Sequence, residues 1–238
     1  MSIPGLDAWL NSVQGRYVLD WEQHHLDSVV ADIFGFNALQ IGLPQYDFLR
    51  ANRIPLRQKA SGSGAVDTLC DPVALPFASQ SIDLVILPHM LEFSDDPHQI
   101  LREVERILIP EGQVIIIGFN PFSLWGAKRR LNHSGEFPWN GSYLSITRLK
   151  DWLKLLGFEV DRGTLGCYAP PFEQAQWLRR GHLIERMGSR WWNFSGAVYV
   201  LRAIKRVHSM RLITPNWKQT PVRGKALRPM VQKESNDN

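Results

Sequence analysis

The stretch from Leu75 to Pro121 constrains the fold of this chain more than any other. Ile82 to Leu87 is an apolar run interrupted only by Asp83, which is typical of a strand buried on both faces of a parallel sheet. A helical pattern follows, and Val114 to Ile117 forms a second apolar run. A strand, a helix and a strand joined by short connections predict a βαβ unit, and therefore an α/β fold.

The helix inside this unit has a recognisable start, apolar stripe and end. Asp95 or Asp96 caps it, and Pro97 suits its first turn. Apolar side chains then recur at helical spacing, at Ile100, Leu101, Val104, Ile107 and Leu108. Pro110 and Gly112 predict a turn that ends the helix. The stripe is expected to pack against the sheet.

The same stretch carries a resemblance to a known family. The matching residues are Asp71, Leu75-Pro76-Phe77, Ser81 to Val85, Leu91-Glu92, Asp96-Pro97, Glu103, Arg106 to Leu108, Pro110, Gly112 and Asn120-Pro121. In order and spacing they resemble class I S-adenosylmethionine-dependent methyltransferases, in the type 11 branch that includes the ubiquinone and menaquinone methyltransferases. The resemblance implies a Rossmann-like, doubly wound sheet of seven mostly parallel strands, S-adenosyl-L-methionine as cofactor, and a transferase activity.

Composition excludes several other classes of protein. The 238 residues are 44% hydrophobic, which is enough for one large domain with appendages. The two cysteines cannot form a disulfide framework, and no Cys/His cluster has metal-ligand spacing, so no metal is expected. The first thirty residues lack an apolar signal core, and no run approaches the roughly 18 apolar residues of a membrane span. We therefore expect a soluble, cytoplasmic protein.

Three regions are predicted along the chain. Residues 1–36 are expected to form helices that cover the cofactor side, with one apolar face at Leu26, Val29, Val30 and Ile33. Residues 37–207 are expected to form the methyltransferase-like α/β domain. Residues 208–238 are expected to form a basic, disordered or extended tail.

The positive charge is concentrated toward the C-terminus. From Arg202 onward the chain has nine Lys and Arg residues and two acidic residues, against a net charge of +4 for the whole chain. A solvated tail explains this pattern, and contact with nucleic acid or an anionic membrane is the alternative. Trp217 is the one ring in the tail that suits base stacking.

The first strand and its turn depart from the family pattern. Asn37 to Gly42 matches this strand, and by the resemblance Gln40 stands where the family has an acid that interacts near the methionine amino group. Gly42 keeps the first glycine of the family's turn, whereas Pro44 and Tyr46 replace the other two. Glycines permit close approach and positive φ angles, so these substitutions predict a weakened cofactor site with a degenerate motif.

The interval after this turn is too short for the full family fold. Only 29 residues separate Gly42 from Asp71, fewer than two average helices and two strands require. The predicted elements are a brief helix at Tyr46 to Ala51, a second strand at Ile54 to Lys59 and a third strand at Ala65 to Cys70. The helix between strands two and three is therefore expected to be missing. The acid that binds ribose in the family has no match, and Arg57, Gln58 and Lys59 stand in its place.

Two groups of residues are candidates for the site. The resemblance implies that Asp71 accepts from the adenine amino group, with Pro72 and Val73 beside the ring. Asp71 as a turn residue that caps local N–H groups is the alternative. Leu87 and Pro88 end the fourth strand, where open α/β sheets bind ligands.

His89 is the weak candidate for a catalytic residue. It follows Pro88 at the end of the fourth strand and is interpreted as a cofactor or substrate contact, as a base, or as a solvent-exposed histidine. The family's histidine after Leu-Glu is Phe93 in this chain, so that position supplies no base.

The remainder of the chain completes the sheet. Lys128 to Asn140 is expected to be a loop on the substrate side. Ser145 caps a helix that Gly157 ends, and a sixth strand begins at Phe158. Residues 172–190 are expected to form an insertion that acts as a lid or an oligomer surface. Gly196 to Ile204 predicts the final strand.

Methyl transfer from a sulfonium needs mainly positioning, so the absence of a catalytic motif does not exclude it. The acceptor is expected to be a small, aromatic or lipophilic molecule, which nine tryptophans would suit. The alternative is an inactive methyltransferase-fold protein with a binding or regulatory role. The sequence leaves the oligomeric state open.

Overall fold

A seven-stranded sheet forms the centre of the molecule. Its strands are β1 (Asn37–Ile41), β2 (Leu56–Ser61), β3 (Thr68–Leu69), β4 (Ile82–Pro88), β5 (Leu108–Phe119), β6 (Phe158–Gly166) and β7 (Val198–Lys205). They lie in the order β3-β2-β1-β4-β5-β7-β6. The first five run parallel, and β7 is antiparallel to both β5 and β6. The predicted doubly wound, mostly parallel sheet is confirmed.

Five helices accompany the sheet within the described residues. The computed structural model describes residues 5–131, 136–171 and 195–207, all within the compact unit Met1–Val207. The helices are α1 (Leu6–Leu10), α2 (Val13–Val30), α3 (Pro97–Ile107), α4 (Leu124–Leu131) and α5 (Ile146–Leu155). The predicted insertion at 172–190 and the basic tail at 208–238 lie outside the described residues and stay predictions. No helix in the described ranges is both long and apolar enough to cross a membrane.

The β4–α3–β5 unit forms as predicted, but the predicted turn at Pro110 and Gly112 is wrong, because β5 begins at Leu108 directly after α3 and includes both residues. Every residue of β4 is buried except Asp83, which is half-buried. Its Oδ2 accepts hydrogen bonds from the backbone N–H groups of Phe36 (3.0 Å) and Asn37 (2.8 Å), which fixes the start of β1. Asp96 caps α3 by accepting from Gln99 N–H at 2.9 Å. The one polar residue of the strand thus aligns β1 with β4.

The connection between β2 and β3 contains no helix, as predicted. It consists of residues 62–67, and β3 itself has only two residues. Strand β2 begins and ends two residues later than the predicted range, and β3 is shorter than predicted.

Two further predictions are wrong. Residues 46–51 form turns in place of a brief helix, because the side chain of Gln40 binds the backbone of this loop. Residues 128–131 belong to α4 in place of a loop, because the hydroxyl of Ser123 accepts from Gly126 N–H and starts that helix.

The second helix lies over the sheet and is held at both ends. Ser12 caps its start by accepting from Gly15 N–H at 3.1 Å. The buried amide of Asn52 donates to the carbonyls of Val30 (2.6 Å) and Ile33 (3.1 Å) near its end. These contacts satisfy backbone groups that a helix terminus otherwise leaves unpaired. Its buried stripe comprises Gln14, Gly15, Val18, Leu19, Glu22, Leu26 and Val30.

Candidate functional site at the carboxyl ends of β1 and β4

The candidate site lies where β1 and β4 end side by side. The chain leaves β1 toward β2 on one side and leaves β4 toward β5 on the other, so the strand order reverses here. Open α/β sheets bind ligands at such a switch point, outside the carboxyl ends of the strands. Gly42 follows β1, and His89 and Met90 follow β4. The fold therefore brings the predicted glycine turn and the predicted strand-four residues together.

A cavity of about 250 Å³ opens beside these strand ends. It is lined by Asp71, Pro72, Val73, Met90, Ser94, Asp95, Asp96 and Ile100. The lining combines apolar side chains with carboxylates. Apolar side chains can pack against the faces of a flat ring, and a carboxylate can accept a hydrogen bond from an N–H group on its edge. Three of the predicted site residues, Asp71, Pro72 and Val73, meet here.

Asp71 makes the local contact that one interpretation predicted. Its Oδ1 accepts from Val73 N–H at 3.1 Å, which closes a turn. Asp71 is exposed, whereas Pro72 is buried. Because Asp71 also lines the cavity, the turn holds its carboxyl group at the rim of that space.

Gly42 occupies a position that only glycine fits. Its φ is +96°, in the left-handed region, and a Cβ placed there would lie 2.7 Å from Met90 Cε. The same Cβ would lie 3.7 Å from the carbonyl oxygen of Pro88. The backbone of the turn therefore approaches the end of β4 closely, with the side chain of Met90 between the turn and the cavity.

Gln40 has a structural task in this conformation. Its side chain is fully buried, and Nε2 donates to the carbonyls of Gly42, Leu43 and Tyr46, each at 3.0 Å. Its Oε1 accepts from Phe48 N–H at 3.0 Å. The amide thus ties together the loop that replaces the helix after β1. Both of its N–H donors are used within the protein.

The carboxyl end of β2 was placed incorrectly by the sequence analysis. Ser61 ends this strand and is buried, whereas Arg57 and Lys59 lie further back along it. The predicted range was wrong because the strand continues beyond Lys59 to pair Ala60 with Ile41 and with Thr68. The residue at the carboxyl end of β2 is therefore the small, neutral Ser61.

The two residues that end β4 differ in what they contribute. Leu87 is fully buried in the core on the side of the sheet that α3 covers, so its side chain does not line the cavity. Pro88 is also buried, but its carbonyl oxygen faces the Gly42 turn. Leu87 therefore holds the strand in place, and the backbone of Pro88 borders the site.

His89 is buried and not solvent-exposed, so that interpretation is wrong. Its φ of +50° is unusual for a residue with a side chain. Its Nε2 lies 2.7 Å from Glu22 Oε1, and its Nδ1 lies 3.0 Å from Glu92 Oε2. All three side chains are at most 2% exposed. We call Glu22, His89 and Glu92 the Glu–His–Glu cluster.

The cluster carries opposite charges in close contact. Burial alone would lower the pKa of His89, but its contacts with Glu22 and Glu92 outweigh burial and raise that pKa to about 10. Burial also raises the pKa of Glu92 above its ordinary value. At neutral pH His89 is therefore an imidazolium held between two carboxyl groups.

Aromatic rings surround the cluster. The ring of Phe119 lies 4.4 Å from that of His89 and 5.1 Å from that of Tyr143, measured between centroids. Phe119 N–H donates to Glu92 Oε1. Trp9 and Trp125 also pack on Phe119, with centroids 6.0 Å and 6.2 Å away. This low-polarity wall strengthens electrostatic interactions inside it.

Glu22 is the member that the sequence analysis missed. It lies four residues after Val18 and four before Leu26, both fully buried, so it belongs to the apolar stripe of α2. A carboxylate at that spacing on an apolar face is the signal that could have identified it, because a buried charge requires a partner. Glu92 was noted only as part of the family pattern.

The residues at the strand ends fit the adenine part of S-adenosyl-L-methionine better than its methionine part. The cavity beside Asp71 and Val73 has the apolar walls and the rim carboxyl group that an adenine needs. At the ends of β1 and β2, the turn at Gly42 has no side chain, and Gln40 and Ser61 carry no charge. In the described part of the chain, no group of three or more His, Cys, Asp or Glu residues is arranged to hold a metal ion.

Comparison with known sequences points to one family. A family model described as a methyltransferase domain matches residues 46–116. The uncharacterized protein YafS of Escherichia coli is 32% identical over 178 residues, which cover 74% of this chain and 72% of YafS. The ubiquinone/menaquinone biosynthesis C-methyltransferase UbiE of Desulfotalea psychrophila is 31% identical over 75 residues, which cover 32% of this chain and 30% of that protein.

Comparison of folds agrees with the sequences. A crystal structure from Thermotoga maritima, described as a SAM-dependent methyltransferase and possible histamine N-methyltransferase, superimposes with a TM-score of 0.60 at 20% identity. The match covers 84% of this chain and 94% of that one. S-adenosyl-L-methionine is the cofactor that this family and fold imply. The chain belongs to the class I S-adenosylmethionine-dependent methyltransferases.

Proposed function

We propose that the protein transfers the methyl group of S-adenosyl-L-methionine to a small-molecule acceptor. The observation that supports this best is the cavity of about 250 Å³ at the switch point between β1 and β4. Asp71, Pro72 and Val73 line this cavity, and so does Met90, which lies against the glycine turn. Open α/β sheets bind ligands at the carboxyl ends of their strands, which supports the proposal.

Each group around the cavity has a separate task in this proposal. The carboxylate of Asp71 accepts from the adenine amino group, and Pro72 and Val73 flank the ring. The turn at Gly42 lets backbone, and not a side chain, face the methionine portion. Met90 is flexible and lies against Gly42, so it adjusts to a ligand more easily than a branched residue would.

The protein's contribution to the reaction is mainly positional. When bound, the sulfonium supplies an activated methyl group with a good leaving group. In this proposal, the residues that line the cavity hold the cofactor. The rings of His89 and Tyr143, which pack on Phe119, exclude water from the opposite side of the strand ends. Orientation and desolvation of this kind account for large rate effects without a nucleophilic residue.

Isothermal titration with S-adenosylhomocysteine tests the proposal. We expect micromolar binding to the wild-type protein, and its loss in Asp71→Ala. Asp20→Ala is the matched control, because Asp20 is an exposed carboxylate on α2. No detectable binding at millimolar ligand would overturn the proposal. Equal binding by Asp71→Ala and Asp20→Ala would remove Asp71 from the adenine site.

An inactive methyltransferase-fold protein is the second candidate, and specific contacts favour it. The amide of Gln40 is engaged with the loop carbonyls, and Ser61 stands at the end of β2. Both changes remove a charge that the family uses toward its cofactor. This second function predicts no binding of S-adenosylhomocysteine in the titration above, so the same measurement separates the two candidates.

A further inference from the structure

We propose that Glu22 is the proton acceptor for the group that becomes methylated, with its Oε2 atom facing the N–H or O–H of the acceptor. This inference rests on the proposed methyl transfer and assigns an acceptor class to that site: an amine, an alcohol or a phenol.

His89 is the obvious candidate for a base, but its geometry excludes it. Both ring nitrogens lie within hydrogen-bond distance of a carboxylate oxygen, at 2.7 Å and 3.0 Å. A carboxylate accepts and does not donate, so each nitrogen must carry a hydrogen. An imidazole protonated at both nitrogens has no lone pair left to accept a proton.

Glu92 is also fully engaged. Its Oε2 accepts from His89, and its Oε1 accepts from Phe119 N–H. The cluster therefore has four carboxylate oxygens, of which three have a partner. Among the described residues, Glu22 Oε2 is buried and has no hydrogen-bond partner.

An unpartnered carboxylate oxygen in a fully buried side chain is rare, because removing a charged atom from water without giving it a hydrogen-bond partner is unfavourable. Glu22 is 0% exposed. A second buried atom nearby shares the property: the hydroxyl of Tyr143 has no partner among the described residues. The ring of Tyr143 stacks on Phe119, and Phe119 packs against His89, so both atoms belong to side chains of one buried region. The unpartnered oxygen of Glu22 indicates that a polar ligand group completes this site.

The location agrees with an acceptor site. His89 and Met90 are consecutive, but Met90 lines the cofactor cavity while His89 contacts α2. The positive φ of His89 lets these neighbours point to different sides of the strand end. Glu22 therefore contacts the residue that precedes Met90, so the proposed acceptor position adjoins the end of β4 next to the cavity.

The acceptor class follows from the chemistry of the two orphaned atoms. Glu22 Oε2 requires a hydrogen-bond donor, and the hydroxyl of Tyr143 can either donate or accept. Burial raises the pKa of Tyr143, with Glu92 nearby as a further cause, so its proton stays in place. An N–H or O–H nucleophile satisfies both atoms, whereas a carbon nucleophile offers neither a donor nor an acceptor.

The proton balance of the step is simple. The lone pair of the acceptor nitrogen or oxygen forms the bond to the methyl carbon, and the sulfur–methyl bond breaks with its electrons going to sulfur. The N–H or O–H proton passes to Glu22 Oε2, leaving a neutral thioether. His89 is a positioning residue here because it holds Glu22 through Oε1, and Glu92 is one because it orients the ring of His89.

Sinefungin provides a test that needs no identified acceptor. In this analogue of S-adenosylmethionine, a carbon bearing an amino group replaces the methylated sulfur, so N–H groups project where the methyl group would be. We expect the wild-type protein to bind sinefungin about tenfold more tightly than S-adenosylhomocysteine, as measured by isothermal titration, because one charge-assisted hydrogen bond has about that effect.

Two variants separate the proposed role from general electrostatics. Glu22→Gln is expected to lose the preference for sinefungin and to bind S-adenosylhomocysteine as the wild-type protein does. Asp20→Asn removes a charge from an exposed position on the same helix and leaves the Glu–His–Glu cluster unchanged, so the preference is expected to remain. Equal losses in both variants would show a purely electrostatic effect and overturn the proposal.

The wild-type comparison alone keeps the inference testable if Glu22→Gln does not fold. Binding of both ligands with equal affinity would overturn the assignment of Glu22 and leave the proposed methyl transfer intact. Binding of neither ligand would overturn the proposed function itself, and this inference with it.

Discussion

The Nε2 atom of His89 lies 2.7 Å from Glu22 Oε1, although 67 residues separate the two in the chain. This contact joins α2 to the carboxyl end of β4 through a pair that is almost completely buried. When one partner of such a pair is removed, the other charge remains buried without compensation. The contact therefore ties the middle of α2 to the carboxyl end of β4.

Replacing Glu22 by Ala is expected to destabilise the protein by about 3 kcal/mol, because His89 would lose its closest partner inside the core. Asp27 provides the matched control on the same helix, since it pairs with Arg50 at the surface. Asp27→Ala is expected to cost less than about 1 kcal/mol, the usual value for an exposed pair. Urea unfolding at neutral pH measures both, and equal losses would contradict a buried ion pair.

Stability is expected to fall at alkaline pH because of His89. Contacts with Glu22 and Glu92 raise its pKa from 6.5 to about 10 in the folded protein, despite burial. Since the folded pKa exceeds the unfolded one, this stabilisation is complete below about pH 6.5 and disappears as the pH rises to about 10. The raised pKa of Glu92 acts in the same direction.

Urea unfolding of the wild-type protein and of His89→Gln between pH 6 and pH 10 checks this dependence. The difference in unfolding free energy between the two proteins is expected to shrink by on the order of a few kcal/mol across the window. Tyr143 and Tyr199 also face Glu92, but their hydroxyls stay protonated there because burial raises the pKa of each. A constant difference would show that His89 is not charged.

Placing an acid at position 40, before the glycine turn, is expected to lower the free energy of unfolding. In Gln40→Glu, an oxygen would replace Nε2 and face the carbonyl oxygens of Gly42, Leu43 and Tyr46. We expect a loss of about 3 kcal/mol at pH 8, from the lost donors and from an unpaired buried charge. Gln40→Met keeps the side-chain length without the charge and is expected to cost less.

The loss in Gln40→Glu is expected to be smaller at pH 5, where a protonated carboxyl group can donate one hydrogen bond. Thermal unfolding at the two pH values measures this difference. If Gln40→Glu were more stable than Gln40→Met at pH 8, the loop contacts described for Gln40 would be refuted.

Gly42→Ala is expected to destabilise the turn for two separate reasons. A residue with a Cβ at φ +96° costs about 1–2 kcal/mol, and the new methyl group would meet Met90 Cε at 2.7 Å. Met90→Ala removes the second problem but not the first. A double-mutant cycle measured by urea unfolding is therefore expected to show a favourable coupling of about 1 kcal/mol between the two changes. Zero coupling would mean that the side chain of Met90 moves away from the new methyl group at no cost in free energy.

The sequence predicts the central part of this fold well, and for a physical reason. The strand Ile82–Pro88 and the helix Pro97–Ile107 have local signals, namely an apolar run, a capping acid, a proline and a helical stripe. These signals depend only on residues close together in the chain, so they can be recognised without knowledge of tertiary contacts. The short β2–β3 connection was predicted from length alone, which is also a local property.

Only those residues of the candidate site that belong to a recognisable sequence pattern were predicted. Asp71 to Val73 were found because the family pattern places them there, and they do line the cavity. The roles of Gln40 and Glu22 depend on partners that the sequence pattern does not specify: loop carbonyls up to six residues away for Gln40, and an imidazole 67 residues away for Glu22. Buried polar residues are satisfied by tertiary geometry, which periodicity does not reveal.

The two edge strands, β3 and β6, determine whether this sheet can pair with a strand of another molecule. β3 pairs with β2 through only two residues, so it offers a very short row of unpaired backbone groups. β6, at the opposite edge, has a shift in register between Val160 and Arg162, and charged side chains at Glu159, Asp161 and Arg162. Short, irregular and charged edges resist the addition of a strand from another molecule. Within the described residues, the connection without a helix between β2 and β3 therefore leads to an edge strand too short to pair readily with another sheet.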